Sequence, residues 1–178
     1  NLNFHDFNIE PVAIIGGGVT GSSLAFSLKK RNIECFIVEK GHELGNGASG
    51  NLVAFQIPKL TLDDSIYGIF SLRSYLYSRN LAINLDSVPI SNGVIIFPNR
   101  DRENKKFEEL LNFKWPYELF HNYKSVEFQN FKNLHLFPNS GIVETKYFLK
   151  NLSKSVKFIN NFEVIKIDHF KNKKILYN

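Results

Sequence analysis

The stretch Val12-Ala13-Ile14-Ile15-Gly16-Gly17-Gly18-Val19-Thr20-Gly21 decides the fold of this chain. Its first four residues are a short apolar run between Pro11 and a glycine cluster, as expected for a buried parallel strand. Glycines stand at 16, 18 and 21, the G-x-G-x-x-G spacing, directly after that strand and opening a helix. Gly16 permits the tight turn, Gly18 lets the backbone approach a pyrophosphate, and Gly21 allows close helix–strand packing. The helix N-terminus offers unpaired N–H groups and partial positive charge to phosphates. The helix, expected from Thr20 to Arg31, carries Leu24, Ala25 and Leu28 on one face. It closes in Lys29-Lys30-Arg31, three cations that suit the negative end of a helix dipole better than a nucleic-acid patch. Glu34 to Val38 reads as a second buried strand, and Glu39 ends it 18 residues past the last glycine. A carboxylate there accepts hydrogen bonds from both ribose hydroxyls of an adenosine and repels a 2′-phosphate, which disfavours NADP.

Working outward, Gly45-Asn46-Gly47-Ala48-Ser49-Gly50-Asn51 lies in a small-residue loop spanning Gly41 to Gly50 and the residue after it. Small residues let a backbone pass close to a bulky ligand, and Ser49 and Asn51 can donate to phosphate or ring-edge atoms. A long helix is expected from about Asp63 to Leu85, with Thr61 and Asp64 at capping-box spacing and Ile66, Ile69, Phe70 and Arg73 along one face. Further strands are expected at Gly93–Phe97, Gly141–Val143, Val156–Ile159, Phe162–Asp168 and Lys174–Tyr177, and helices at Asp101–Phe113 and Thr145–Leu152. Trp115 to Asn139 reads only as mixed short elements and turns.

The chain has 178 residues, 43% hydrophobic and 22% charged, which excludes wholesale disorder. No stretch approaches the roughly 20 apolar residues that span a bilayer, so no membrane role is expected. The net charge of +5 is compatible with a polyanionic partner without demanding one. One cysteine, Cys35, excludes an internal disulfide and fits a reducing compartment. It reads as a small buried hydrophobe. With no secretory leader in view, a cytoplasmic protein is expected. Methionine is absent even at position 1, so the chain is expected to be a segment of something longer. Phe supplies 17 residues, mostly at core-like spacings, which favours a codon bias over a base-stacking surface. His5, His42, His121, His135 and His169 are scattered, with no Cys or carboxylate at ligand spacing, so no metal site is expected. Ser22-Ser23 lacks the nucleophile-elbow context of a hydrolase.

Val12 through Asn51 resembles the start of the D-amino-acid-oxidase superfamily of FAD-dependent amine oxidases. More narrowly, Gly47-Ala48-Ser49-Gly50-Asn51, followed by Pro58-Lys59-Leu60 and Asp63, is similar to the C-terminal oxidoreductase domain of the bifunctional enzyme that matures wobble uridine in tRNA. Ser140-Gly141-Ile142-Val143 leading into Lys146-Tyr147-Phe148-Leu149 resembles the same family. Leu52-Val53-Ala54-Phe55-Gln56-Ile57 departs from it, standing where the family has a glycine- or alanine-rich run.

The resemblance implies a Rossmann-like FAD-binding α/β domain with an interposed α+β substrate-domain segment, in an incomplete chain. Residues 1–90 and 144–178 are the expected two parts of the FAD domain, and 91–143 part of the substrate domain. It implies FAD as cofactor, with Gly16, Gly17, Gly18, Val19, Thr20, Gly21, Glu39, Lys40, Gly47, Ala48, Ser49, Asn51 and Val164 as cofactor-binding residues, the last in a strand against the adenine. No catalytic side chain is named. The implied substrate is 5-carboxymethylaminomethyl-uridine, or its 2-thio form, in tRNA, with a fused or partner methyltransferase. Lys59 and the Lys171/Lys173/Lys174 cluster are the cations to test against tRNA. A free amino acid such as glycine or a D-amino acid is the alternative substrate, and a non-catalytic nucleotide-binding module the alternative role.

Overall fold

A computed structural model describes residues 10–63, 65–87, 93–129, 133–170 and 173–177. In chain order the elements are β1 (Val12–Ile15), α1 (Val19–Lys29), β2 (Cys35–Val38), β3 (Val53–Gln56), α2 (Ile66–Asn84), β4 (Val94–Ile96), α3 (Asp101–Leu111), β5 (His121–Tyr123), β6 (Leu134–Phe137), β7 (Gly141–Glu144), α4 (Thr145–Leu152), β8 (Lys157–Ile159), β9 (Lys166–Phe170) and β10 (Lys173–Tyr177). They divide into two compact units. One holds the described residues up to Leu52 and from Thr145 onward, the other Val53–Glu144. The first crossing therefore lies at Leu52, not near residue 90, because β3 pairs antiparallel with β7 and takes the following helix with it.

In the first unit β2 lies between β1 and β8, parallel to both, with Val12 opposite Cys35 and Val38 opposite Ile159. The connection through α1 is the strand–turn–helix–strand unit that the glycine spacing demands. Its core is Ile14, Ala25, Cys35 and Ile37, with Leu28, Val156 and Phe158 packed on it. Ile37 is wholly buried, which contributes ~1.5–3 kcal/mol. Burial likewise pushes the Cys35 thiol up. β1 is less buried than its apolar run suggests, since Ile14 is covered while Ile15 is 51% exposed.

Three expectations change. The expected strand Phe162–Asp168 begins only at Lys166, so Val164 lies in the connection before β9 and not in a strand. Its neighbours spend their backbone bonds elsewhere, Asn161 N–H on the Gly41 carbonyl and Phe162 N–H on the Glu39 carbonyl, both at 3.0 Å. Helix α2 is capped by Ser65, whose hydroxyl accepts from Gly68 N–H at 3.2 Å. Of the expected capping pair, Asp64 lies outside the described residues, and the Thr61 hydroxyl donates to the Asp63 carbonyl. Finally, α2 buries Gly68, Tyr75 and Ala82 rather than the expected face, where Ile66 is 88% and Phe70 69% exposed. Gly68 and Ala82 are small, which brings this side of the helix close to its neighbours; a Cβ at Gly68 would collide with the Thr61 side chain.

In the second unit β6 pairs with both β4 and β5, and Phe137, Leu110, Phe120 and Leu60 form the core beneath. The segment from Trp115 to Asn139, obscure in sequence, contributes β5 and β6 to that sheet.

Candidate cofactor site

The turn between β1 and α1 is tied down from two sides. Gly16 has φ +100°, a conformation L side chains rarely adopt, and its N–H donates to the Val38 carbonyl at 2.8 Å. Gly17 N–H donates to Glu39 Oε2 at 2.7 Å, and Gly41 N–H donates to Glu39 Oε1 at 3.0 Å. The carboxylate, 8% exposed, thus clamps the glycine turn to the loop that follows β2. Each carboxylate oxygen keeps a second lone pair, so both can still accept from a ribose hydroxyl. Gly21 is needed for packing: a Cβ there would collide with the Gly16 carbonyl oxygen.

Helix α1 begins with no acidic residue in its first turn and no side-chain cap from Gly18. The cap comes from the loop instead, where Ser49 Oγ accepts from Val19 N–H at 3.0 Å. That leaves the Ser49 hydroxyl proton to donate to an anion before the helix. Space is held open by the glycines. A Cβ on Gly18 would stand 3.2 Å from Ser49 Oγ, and one on Gly17 2.9 Å from a Leu44 methyl. Thr20 is exposed in the first turn, and Gly47, Ala48 and Asn51 are exposed around the short 3-10 turn Ala48–Gly50.

Several residues that shape the site were not among the expected cofactor-binding residues. Gly45, at φ +75°, donates its N–H to the Gly17 carbonyl at 3.0 Å, which binds the loop to the glycine turn. Leu149 of α4, wholly buried, packs where a Cβ on Gly45 would stand 2.7 Å away. Lys146 Nζ reaches Glu43 Oε1 at 2.7 Å, and that hydrogen bond holds the Glu43 carboxyl below the usual range. The small-residue loop was the available signal for Gly41 and Gly45, and the resemblance of Lys146 to Leu149 the signal for their partners on α4.

Glu39, Ser49 and Gly16 to Gly21 are brought together. Lys40 instead points to Glu163, at 3.7 Å, with both side chains largely exposed. Val164 follows the segment anchored at Glu39 and Gly41, half-buried. Among the described residues no cluster of His, Cys, Asp or Glu could hold a metal ion. Nor is any helix among them long and apolar enough to cross a membrane. Lys59 lies over the Tyr67 ring at 5.1 Å. Of the Lys171/Lys173/Lys174 cluster, Lys171 lies outside the described residues, and the other two are described only as backbone of β10.

This arrangement fits an extended dinucleotide. A side-chain-free turn meets a helix N-terminus, and a buried carboxylate closes the neighbouring strand; a Cβ at Gly16 or Gly47 would meet nothing within 4 Å. Comparison with known proteins agrees. The "tRNA 5-methylaminomethyl-2-thiouridine biosynthesis bifunctional protein MnmC" of Marinomonas sp. (strain MWYL1) is 33% identical over 109 residues, 60% of this chain and 16% of that protein. The protein of the same name from Shewanella denitrificans is 28% identical over 169 residues, 88% of this chain and 22% of its own length. The crystal structure of glycine oxidase from Geobacillus kaustophilus shares the fold, with a TM-score of 0.71 at 21% identity, covering 92% of this chain and 50% of that one. The chain thus spans a minor part of those curated relatives and half of that oxidase. The family model described as FAD dependent oxidoreductase matches residues 11–176, so the chain belongs to this family of FAD-dependent oxidoreductases.

Proposed function

We propose that this chain is the flavin-holding part of an oxidoreductase that removes the carboxymethyl group from 5-carboxymethylaminomethyl-(2-thio)uridine at the wobble position of tRNA. The observation that carries this reading is the likeness along 88% of the chain to a protein named for tRNA 5-methylaminomethyl-2-thiouridine biosynthesis. The cofactor cradle supports the flavin part of it, since Glu39, the N-terminus of α1 and Ser49 lie together beside the glycine turn. When bound, FAD supplies the two-electron acceptor that oxidation of a carbon–nitrogen bond needs.

The chain's own residues bind and orient. Glu39 would accept from the ribose hydroxyls while holding Gly17 and Gly41 in place. The first turn of α1, with Val19, Thr20 and the glycines, would face the pyrophosphate, with Ser49 donating its hydroxyl proton there. Gly47, Ala48 and Asn51 would pass beside the flavin, and Val164 beside the adenine, with Lys40 at the rim. The overall change at the substrate is oxidation of the arm's C–N bond followed by addition of water. Glyoxylate leaves and an aminomethyl group stays on the uridine. Since 5-methylaminomethyl-uridine carries one more methyl, a methyltransferase, fused or separate, is the partner this chemistry calls for. A tRNA substrate places the work in the cytoplasm.

The test is to mix the intact FAD-loaded protein, without oxygen, with hypomodified tRNA, glycine or D-alanine. Bleaching of the flavin's visible absorbance by the tRNA, with release of glyoxylate, is the expected result. Bleaching by a free amino acid alone would make the protein an amino-acid oxidase. No bleaching by any of them would leave a nucleotide-binding module without redox work.

A further inference from the structure

We infer that the open cleft between Thr61–Asp63 and the N-terminal half of α3 seats the phosphate backbone of an RNA, an inference that rests on the tRNA reading above. The cleft has a volume of about 800 Å³ and lies wholly within the second unit. Arg100, Arg102, Lys105 and Lys106 line it, four cations within seven residues of chain. Among the described residues none of the four is in an ion pair. Arg102 is three and four residues from Lys105 and Lys106, so their Cβ atoms are about 5–6 Å apart on one side of the helix. That is a row of charge along the cleft, not a single point.

Three carboxylates, Asp63, Glu103 and Glu109, also line the cleft, so its lining carries one positive charge in excess, and the cations stand apart from the acids in position. The Asp63 carboxylate is taken up by the Ser65 hydroxyl at 2.9 Å. Glu103 sits in the first turn of α3, where the helix dipole favours a carboxylate without any partner. Glu109, a turn beyond Lys105, limits the row at its far end. What remains is an open groove with long cationic side chains on its wall. Such a wall suits contacts to successive phosphates, which position a strand without reading its sequence. A compact anion would need fixed, buried donors. Lys59, which the sequence singled out in place of these four, lies against the Tyr67 ring.

The experiment titrates the intact FAD-loaded protein with an unmodified tRNA transcript at several salt concentrations. An Arg102→Gln/Lys105→Gln variant is compared with a Lys150→Gln/Lys154→Gln variant, which removes the same charge from exposed sites of the first unit. FAD content per chain checks that each is folded. We expect the cleft variant to bind more weakly and its log K against log salt slope to flatten by about 1.4–1.8, two phosphate contacts' worth. The control should follow the parent protein. If the parent binds tRNA steeply with salt and the cleft variant matches it, the cleft is wrong and the tRNA reading stands. An equal loss in the control overturns the cleft in favour of diffuse charge. No binding of tRNA by the parent overturns both readings. Polyglutamate that displaces tRNA, and whose own binding alone depends on the cleft, would assign it to an acidic protein instead.

Discussion

Replacing Glu39 with Gln probes the cradle where its connections converge. In the parent protein one carboxylate oxygen accepts from Gly17 N–H at 2.7 Å and the other from Gly41 N–H at 3.0 Å. A glutamine has one oxygen and one NH₂ group, so one of these two N–H donors must face another donor. The surviving bond also weakens, because an acceptor without charge is worth about 0.5–1.5 kcal/mol in place of about 1.5–3. Leaving a buried N–H unpartnered costs about 1–3 kcal/mol. Together the flavin-free turn should lose roughly 2–4 kcal/mol of local stability. FAD binding requires that turn in its ordered form, and the ribose loses its charged acceptor at the same time. A weakening of about ten- to a hundredfold in Kd is expected, at 1.4 kcal/mol per factor of ten.

Two measurements separate the clamp from the ribose contact. One is the FAD dissociation constant from a flavin fluorescence titration, the other the urea midpoint of the flavin-free protein. In Glu39→Gln the dissociation constant should rise and the midpoint should fall. Glu39→Asp keeps the charge but loses a methylene of reach, so it should hold one N–H and fall between the two. If FAD affinity drops while the flavin-free midpoint does not move, the clamp is wrong and Glu39 acts on the ribose alone. If neither changes, the whole assignment of the cradle fails.

Gly18→Val should abolish FAD retention while leaving the first unit folded, since its side chain meets Ser49 Oγ where even a Cβ stands at 3.2 Å; normal flavin occupancy would place the phosphates elsewhere. Ser49→Ala should cost about 0.5–2 kcal/mol through loss of the cap on Val19 N–H, and weaken FAD severalfold in the same titration; Ser49→Thr should restore both. The His135 ring is 1% exposed, stacked on Phe107 at 4.6 Å between centroids, with no hydrogen-bond partner at either nitrogen among the described residues, and burial pushes its pKa below the ordinary value. The unfolded chain takes up this proton as pH falls through about 6.5 while the folded one does not. Stability from this residue is therefore full above that pH and is lost below it, down to the lowered folded pKa. Urea midpoints from pH 8 to 5 should show this decline, and His135→Phe should flatten it.

The first unit was readable because its determinants are local. Gly16, Gly18 and Gly21 lie within one turn of chain, Cys35–Val38 is an unbroken apolar run, and Glu39 follows by simple counting. What spacing cannot carry is the direction of a backbone N–H. The same count that placed Glu39 near a ribose gave no sign that its two oxygens also bind Gly17 and Gly41. Ser49 was expected as a phosphate donor, and nothing in the spacing showed that it caps a helix that starts 30 residues earlier. The strand expected around Val164 failed for a related reason. Its run of β-formers reads as strand, yet Asn161 and Phe162 give their N–H groups to the Gly41 and Glu39 carbonyls just past β2, and pairing with β10 starts only at Ile165, whose N–H donates to the Tyr177 carbonyl.

The second unit was less readable because its constraints are distant. Val53 to Gln56 becomes a strand through pairing with Gly141 to Glu144, and nothing within four residues announces a partner so far along the chain. Periodicity identified α2 as a helix but assigned its covered side to the larger side chains, when Gly68 and Ala82 permit the closer approach. The same asymmetry separates cofactor from substrate. A dinucleotide is held mostly by backbone groups of one strand–turn–helix, whose glycines must recur at fixed spacing. Recognition of an RNA needs only exposed cations, such as Arg102 and Lys105, disposed along a surface. No spacing rule forces them, so composition registers their charge while the fold alone places it in a groove.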